Sequence, residues 1–506
     1  MRKQILMLIA LMFVVTIITA CQSQVTPTAP DAPLAKDTLI IAVDREPVTL
    51  NPHGSNDNGT HFVNNLIFER LVTLDNDMNL IPVLATTWEF IDDTTIRFNL
   101  REDVKFHNGD PFTAEDVKYT FEQTSESPHA TALLGFIDAE ATRVVSDHVV
   151  DVVLKYPFAP ALRHLAHPVA AIVRKNTIEA GGDPVGTGPF QFVDWATGDR
   201  LNVKAFDGYW GDKVRFENLL IRYIPEATTR AIEVETGGVD IARGITPSAA
   251  IEFMENPDVK VYSTNTLDPR YLSFNCSKAP FDNVKVRQAI SAAIDAETIV
   301  ETVTFGLGQR SYSVVTPNVF GYHNAGDPFG YNVERAKALL DEAGYPDGFT
   351  TTLVINAALA SDDAEIIQNM LGQIGINVEI LSYDFSNWLD TIVNGRQDMY
   401  IGLWTAVTGD ADYAIRLAYH SENKGPGGNR SFYSNEKVDA LLEAAKVEMD
   451  QSVRLELYKE VQEILAEEAV VVNLQIGQLH DVAGKHVKGL VPHPNQTIGL
   501  WTVYFE

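Results

Sequence analysis

The chain has 506 residues, with 68 acidic side chains against 39 basic ones and a formal net charge of −29 at neutral pH. That balance excludes long-range attraction to nucleic-acid phosphates or to an anionic lipid surface. Cysteine occurs twice, at Cys21 and Cys276, too few for a cysteine-built zinc site, and the length allows two or three units with cores of their own.

The chain opens with Arg2 and Lys3, followed by an apolar run over 5–18 that only Thr16 interrupts. This is the order of a secretory signal, and it is too short to span a bilayer comfortably. Ile18-Thr19-Ala20-Cys21 resembles a bacterial lipobox, at which a lipid thioether forms and cleavage leaves cysteine as the first residue. Residues 1–20 are therefore expected to be a lipoprotein signal and Cys21 the lipidation site. Residues 21–37, rich in Pro, Thr, Ser and Ala, read as a flexible tether. With Cys21 lipidated, no internal disulfide is available. No later segment reaches membrane-spanning length, so the rest is expected to be soluble and held to the membrane by lipid alone, on its outer or periplasmic side.

Strand-like and helix-like segments then alternate, which predicts an α/β architecture. Strands are expected over 38–43, 95–100, 190–195, 219–224, 259–262, 271–274, 351–356, 378–383, 399–404 and 470–476. Thr113-Ala114-Glu115-Asp116 has the form of a capping box ahead of the apolar pair Val117 and Phe121. Val286, Ala289, Ile290, Ala293 and Ile294 fall on one face of a helix. Asn332 is placed to cap a helix carrying Val333, Ala336 and Leu340, which Gly344 can end. Two more helices are marked by Val438, Leu441 and Leu442, and by Leu457, Val461 and Ile464.

Four blocks carry a family resemblance. They are Leu80-Ile81-Pro82 with the run from Phe98 to Val117; Gly186-Thr187-Gly188-Pro189-Phe190 with Tyr209-Trp210-Gly211; Phe274-Asn275 with the run from Pro280 to Ile290; and Ala336 to Leu340 with Ala343-Gly344-Tyr345. Together they resemble the bacterial extracellular solute-binding proteins of family 5, the receptors of peptide and nickel ABC importers. The resemblance implies a two-lobed fold of the periplasmic-binding-protein kind (class II, cluster C), with an extra subdomain in the first lobe and a ligand cleft between the lobes. On that pattern lobe I comprises 38–70, 187–268 and 483–506, the extra subdomain 71–186, and lobe II 269–482. It also implies a monomeric receptor without a cofactor that hands a small peptide-like solute to the permease subunits. The glycines of the second block have a local reason as backbone punctuation and are read as scaffold.

In the family, the segment that begins Leu403-Trp404-Thr405 and runs to Asp412-Tyr413 lines the cleft, at a strand end where open α/β sheets bind ligands. The dipeptide-binding branch carries an aspartate for the peptide ammonium three residues after the tryptophan. Here that position is Val407. Thr408 to Tyr413, with Phe432-Tyr433-Ser434-Asn435, looks more like the glutathione-binding branch. A peptide-like guest needs an anion for its ammonium, donors for its carboxylates and an apolar shelf. Asp410 and Asp412 are the candidates for the first role. Arg270 and Arg430 suit the second, and Trp404 the third. Asn275 and Thr405 are placed to close amide hydrogen bonds, and His53, Asn56 and Asp57 are expected on the facing wall of lobe I.

Two alternatives stand beside this reading. A receptor for chelated nickel or haem lies within the same family, but nothing in the sequence singles out an imidazole-rich or soft site. An extracytoplasmic hydrolase would need a motif, and the chain has no nucleophile elbow, zinc helix, P-loop or dinucleotide fingerprint. The His164/His167 pair has metal-ligand spacing without a cysteine or carboxylate partner nearby.

Overall fold

Residue patterning along the first strand shows why the sheet is covered on both sides. The computed structural model describes residues 37–175, 182–358 and 361–506; the signal, Cys21 and nearly all of the tether lie outside the described residues. Strand β1 (Thr38–Val43) is almost wholly apolar. Because alternate strand residues point to opposite faces, Leu39 and Ile41 join one core with Leu66 and Phe190, while Ala42 joins another with Val234 and Phe253. Each such Leu or Ile burial stabilises the lobe by about 1.5–3 kcal/mol.

Ten further strands complete the sheet: β2 (Phe190–Ala196), β3 (Arg200–Ala205), β4 (Asn218–Tyr223), β5 (Ile241–Ala242), β6 (Val259–Phe274), β7 (Gln309–Arg310), β8 (Phe349–Asn356), β9 (Ile376–Tyr383), β10 (Met399–Leu403) and β11 (Val471–Gly484). Their order is β9-β8-β10-β6-β11-β5-β1-β4-β3-β2, with β7 against β11. The middle of the sheet defines the architecture. Strands β6 and β11 are long and antiparallel, in register from Val259 opposite Gly484 to Ser273 opposite Val471. At one end β11 pairs with β5 through Val482 and Ala483. At the other, β6 pairs with β10 from Arg270 opposite Leu403 to Phe274 opposite Met399. Both strands thus run through both lobes of a two-lobed α/β fold. Their register breaks at the waist, between Asn265 and Pro269 and again between Arg270 and Tyr271. Pro269 cannot donate to a ladder, and proline within sheets is confined to such interruptions. The sequence suggests two separate strands here, over 259–262 and 271–274; the structure joins them into one.

Between β1 and β2 the chain inserts a second, four-stranded antiparallel sheet ordered Ala85–Asp92, Thr95–Leu100, Val149–Leu154 and Ile137–Ser146. Its strands bury Ile96, Phe98, Val150 and Val152 together with Phe121 of the helix Ala114–Glu126. Gly186 packs where a Cβ would fall 1.9 Å from the Ile67 carbonyl oxygen, which explains that glycine as scaffold. The second lobe is filled by Leu272, Phe274, Ile290, Leu353 and Ile376. Asn332 caps its helix, accepting from the Arg335 amide at 2.9 Å, and Gly344 follows the helix at φ +90°. Among the described residues no helix is long and apolar enough to cross a membrane.

Candidate functional site

Strand β10 ends at Leu403, and the chain then turns through Trp404 and Thr405 into the waist. A cavity of about 430 Å³ opens there, lined by Trp388, Trp404, Tyr413 and Arg430 together with Asn56 and Asn58 from the N-terminal part of the chain. The Arg430 guanidinium lies 4.9 Å from the centroid of the Trp404 ring, and Tyr413 lies 6.3 Å from that ring. Gly428, at φ +127°, lets this loop approach so closely; a Cβ there would meet Trp404 at 2.8 Å.

Arg430 carries a cationic guanidinium with five N–H donors. Among the described residues its side chain has no hydrogen bond and no ion pair, and its buried Nε is without a partner, as is the Trp404 Nε1. Stacking on the indole fixes the cation and contributes about 0.5–2 kcal/mol. It does not neutralise the charge. The result is a held, unmatched cation with two orphaned donors in the wall of an aromatic cavity, an arrangement suited to a carboxylate or similar anion.

A second cavity, of about 480 Å³, shares Arg270 and Leu403 with the first. Its walls include Asp268, Asp362, Asp363, Gln475 and Gln478. Arg270 donates to Asp363 at 2.7 Å. Burial pushes the Asp363 carboxyl above its ordinary range, an effect that Arg270 only partly offsets. Thr405 donates its hydroxyl to Asp268 across the waist. The first cavity is therefore lined by two arginines and no carboxylate, the second by three carboxylates and one arginine.

The residues singled out in the sequence divide between this cleft and the interior. Trp404, Thr405, Arg270, Arg430 and Asn56 line the cavities. Asp410 and Asp412 do not present their carboxylates there. Both are fully buried. Asp410 accepts from Arg454 at 2.9 and 3.1 Å and lies 3.8 Å from Arg163 of the inserted subdomain. Burial acts to lower Arg454, but Asp410 and Tyr458 outweigh it and hold the guanidinium above its ordinary value. Asp412 is held by Arg416 four residues on, at 2.9 and 3.0 Å. The expectation that either faces a ligand ammonium is corrected by these pairings.

Asn275 is likewise interior, donating to the carbonyls of Gly395 and Gln397. His53 is buried, 3.0 Å from the Ala171 carbonyl oxygen through Nε2, and burial lowers it to about 4. Asp57 caps the helix Asn58–Ile67, accepting from Thr60 at 2.8 Å. Burial opposes its ionisation, yet bonds from Thr60 and Ser55 outweigh that and keep it below its ordinary value. Sequence reasoning missed Asp268, Trp388, Asn58 and Gln475. For Asp268 a signal existed, since Asp268-Pro269 interrupts an otherwise strand-like run.

Residues 79–426 match the family model described as bacterial extracellular solute-binding proteins, family 5 Middle. The chain is 33% identical over 473 residues to the glutathione-binding protein GsiB of Salmonella typhi, covering 90% of this chain and 92% of that one. In fold it is similar to HbpA2 from Haemophilus parasuis, with a TM-score of 0.83 and 26% identity over 93% of this chain and all of the other. It is also similar to the periplasmic binding protein DppA from Helicobacter pylori in complex with the peptide STSA. There the TM-score is 0.79 and the identity 27%, over 93% and 98% of the two chains.

Proposed function

The chain belongs to the bacterial extracellular solute-binding proteins of family 5, and on that premise we propose that it is the receptor of an ABC importer for small or glutathione-like peptides. Its relatives are binding proteins rather than enzymes, and the guest is handed to the permease unchanged. One observation carries the ligand class: Arg430, unmatched and stacked on Trp404 inside an aromatic cavity at the junction of the lobes. A peptide carboxylate satisfies that cation and the orphaned Nε together. Trp404, Thr405, Arg270, Arg430 and Asn56 form the proposed contact set.

The lobes are divided as the family pattern implies, at 268/269 and 482/483, with 71–186 as the extra subdomain of lobe I. Two strands through the waist form a joint on which the lobes can close. A ligand touching both lobes favours the closed state by its differential affinity. The protein acts as a monomer tethered by lipid on Cys21 to the outer or periplasmic side of the cytoplasmic membrane.

Isothermal calorimetry with glutathione and a panel of di- and tripeptides tests the ligand class. Saturable binding of at least one is expected, with compaction in small-angle scattering. Binding confined to nickel chelates or haem, or conversion of the peptide during the titration, would replace this reading. Metabolic labelling with a palmitate analogue tests the anchor; a Cys21→Ser variant that labels like the wild type would remove it.

A further inference from the structure

Building on the receptor reading, we propose that the guest is bound in one orientation, its free ammonium in the 480 Å³ chamber against Asp268 and its carboxylate at Arg430. The ammonium anchor therefore lies on the strand through the waist and not on the loop after Trp404, where Val407 contributes only apolar surface.

Three observations place the ammonium in this chamber, and the first is Asp268. It is 8% exposed, lines the chamber, and makes no ion pair among the described residues. Its oxygens accept instead from neutral donors: the Thr405 hydroxyl, the Thr266 hydroxyl at 2.8 Å and the Gln496 amide at 2.7 Å. Neutral donors steady a carboxylate without cancelling its charge. A carboxylate offers about four lone-pair sites, so room for one more donor remains.

The second observation is independent of Asp268. Asp363 Oδ1, Gln475 Oε1 and Gln478 Oε1 belong to residues of the same chamber wall, and each is buried without a hydrogen-bond donor. Unmet buried acceptors are costly, and a wall of them is matched by a guest group that brings donors only. An ammonium has three donors and no acceptor. The third is the opposed charge of the two chambers: with Arg270, which both share, paired to Asp363, Arg430 remains in one and Asp268 and Asp362 in the other. A dipolar guest lying across that boundary finds each of its ends matched, and the reversed pose puts like charges together at both.

Gln496 adds a hold from a distant part of the chain. It comes from the chain end beyond β11 and donates to Asp268, so the anchor is gripped by Thr266 and Thr405 at the waist and by a residue from the C-terminal segment.

The experiment is calorimetry of the full-length protein with glutathione and trialanine, each with a free and an N-acetylated amino group, on the wild type, Asp268→Asn and Asp268→Glu. Acetylation should weaken binding to the wild type by roughly 30-fold or more, the loss expected when one partner of a buried charge pair is removed. Asp268→Asn should bind the free peptide about as weakly and discriminate no further between the two forms. Asp268→Glu, which keeps the charge, should retain discrimination and covers the case in which the asparagine variant fails to fold. Equal binding of free and acetylated peptides to the wild type overturns the orientation and leaves the receptor reading intact. So does discrimination that survives in Asp268→Asn, or that is lost in a folded Asp268→Glu. Absence of binding by every peptide and by glutathione fells the receptor reading and this inference with it.

Discussion

Two stretches of the chain, centred a few residues apart on Asp410 and Trp404, treat charge in opposite ways. Around Asp410 and Asp412 every carboxylate is matched from within, by Arg454, Arg163 and Arg416, and both aspartates are sealed from solvent. Around Trp404, Arg430 is held by an aromatic face and left unmatched, and Asp268 across the strand is held by neutral donors. The first arrangement stabilises a fold and can bind nothing more. The second leaves the counter-charge to be supplied from outside. What separates a structural charge from a binding charge is therefore the identity of its neighbours, not its residue type or its distance from the cleft in sequence.

The sharpest way to break the comparison is Asp410→Asn. It leaves Arg454, whose side chain is 5% exposed, without its carboxylate, and removing one partner of a buried pair costs about 3–5 kcal/mol. Urea denaturation should show that loss, while the folded fraction keeps its peptide affinity; a stable variant that no longer binds would move Asp410 to the ligand side. Arg430→Ala should do the reverse, weakening peptide binding by about 2 kcal/mol or more with stability nearly unchanged. Trp404→Ala removes the shelf beneath that guanidinium, and an affinity loss of about 1–2 kcal/mol is expected by calorimetry.

The smallest departure is a change of slope with pH. Burial holds His53, His61 and His107 at about 4, below the value near 6.5 of an unfolded histidine, so the native state binds fewer protons between these values and stability falls as pH drops through that window. Glu69, raised by burial to about 7 while accepting from Tyr209 and Trp210, binds more protons in the native state than when unfolded and offsets part of that fall. Glu69→Gln should therefore steepen the acid limb of a denaturation series between pH 7 and 4, and an unchanged slope would remove Glu69 from the account.

The regular elements were largely legible because each depends on local pattern. Strands β1 and Thr95–Leu100 fall where alternation and apolar runs put them, and Asn332 caps as its position suggests. The resemblance blocks carried the family, whose model spans 79–426. What escaped was set by distant partners. Arg454 lies 44 residues beyond Asp410, so nothing near Asp410 announces that its charge is already engaged. Asp268 read as part of a break in a strand, since Pro269 follows it, and only the pairing of β6 with β11 shows that the break is the waist. Trp404 and Arg430 were legible as types but not as a stacked pair, because the loop that joins them turns on Gly428 at φ +127°.

The waist has one more consequence. With 16 residues, β6 is about 50 Å long at roughly 3.3 Å per residue, and its ladder is interrupted near the middle. Such a strand behaves as two stiff arms meeting at a crease, since flexure concentrates where hydrogen bonds are already missing. A turn of about 15° at the crease carries a rim about 25 Å away through roughly 6 Å. Asp268 sits at the fulcrum, where the least movement occurs, so a guest seated beside it, as proposed, would act on the joint itself while the outer edges travel the greater distance.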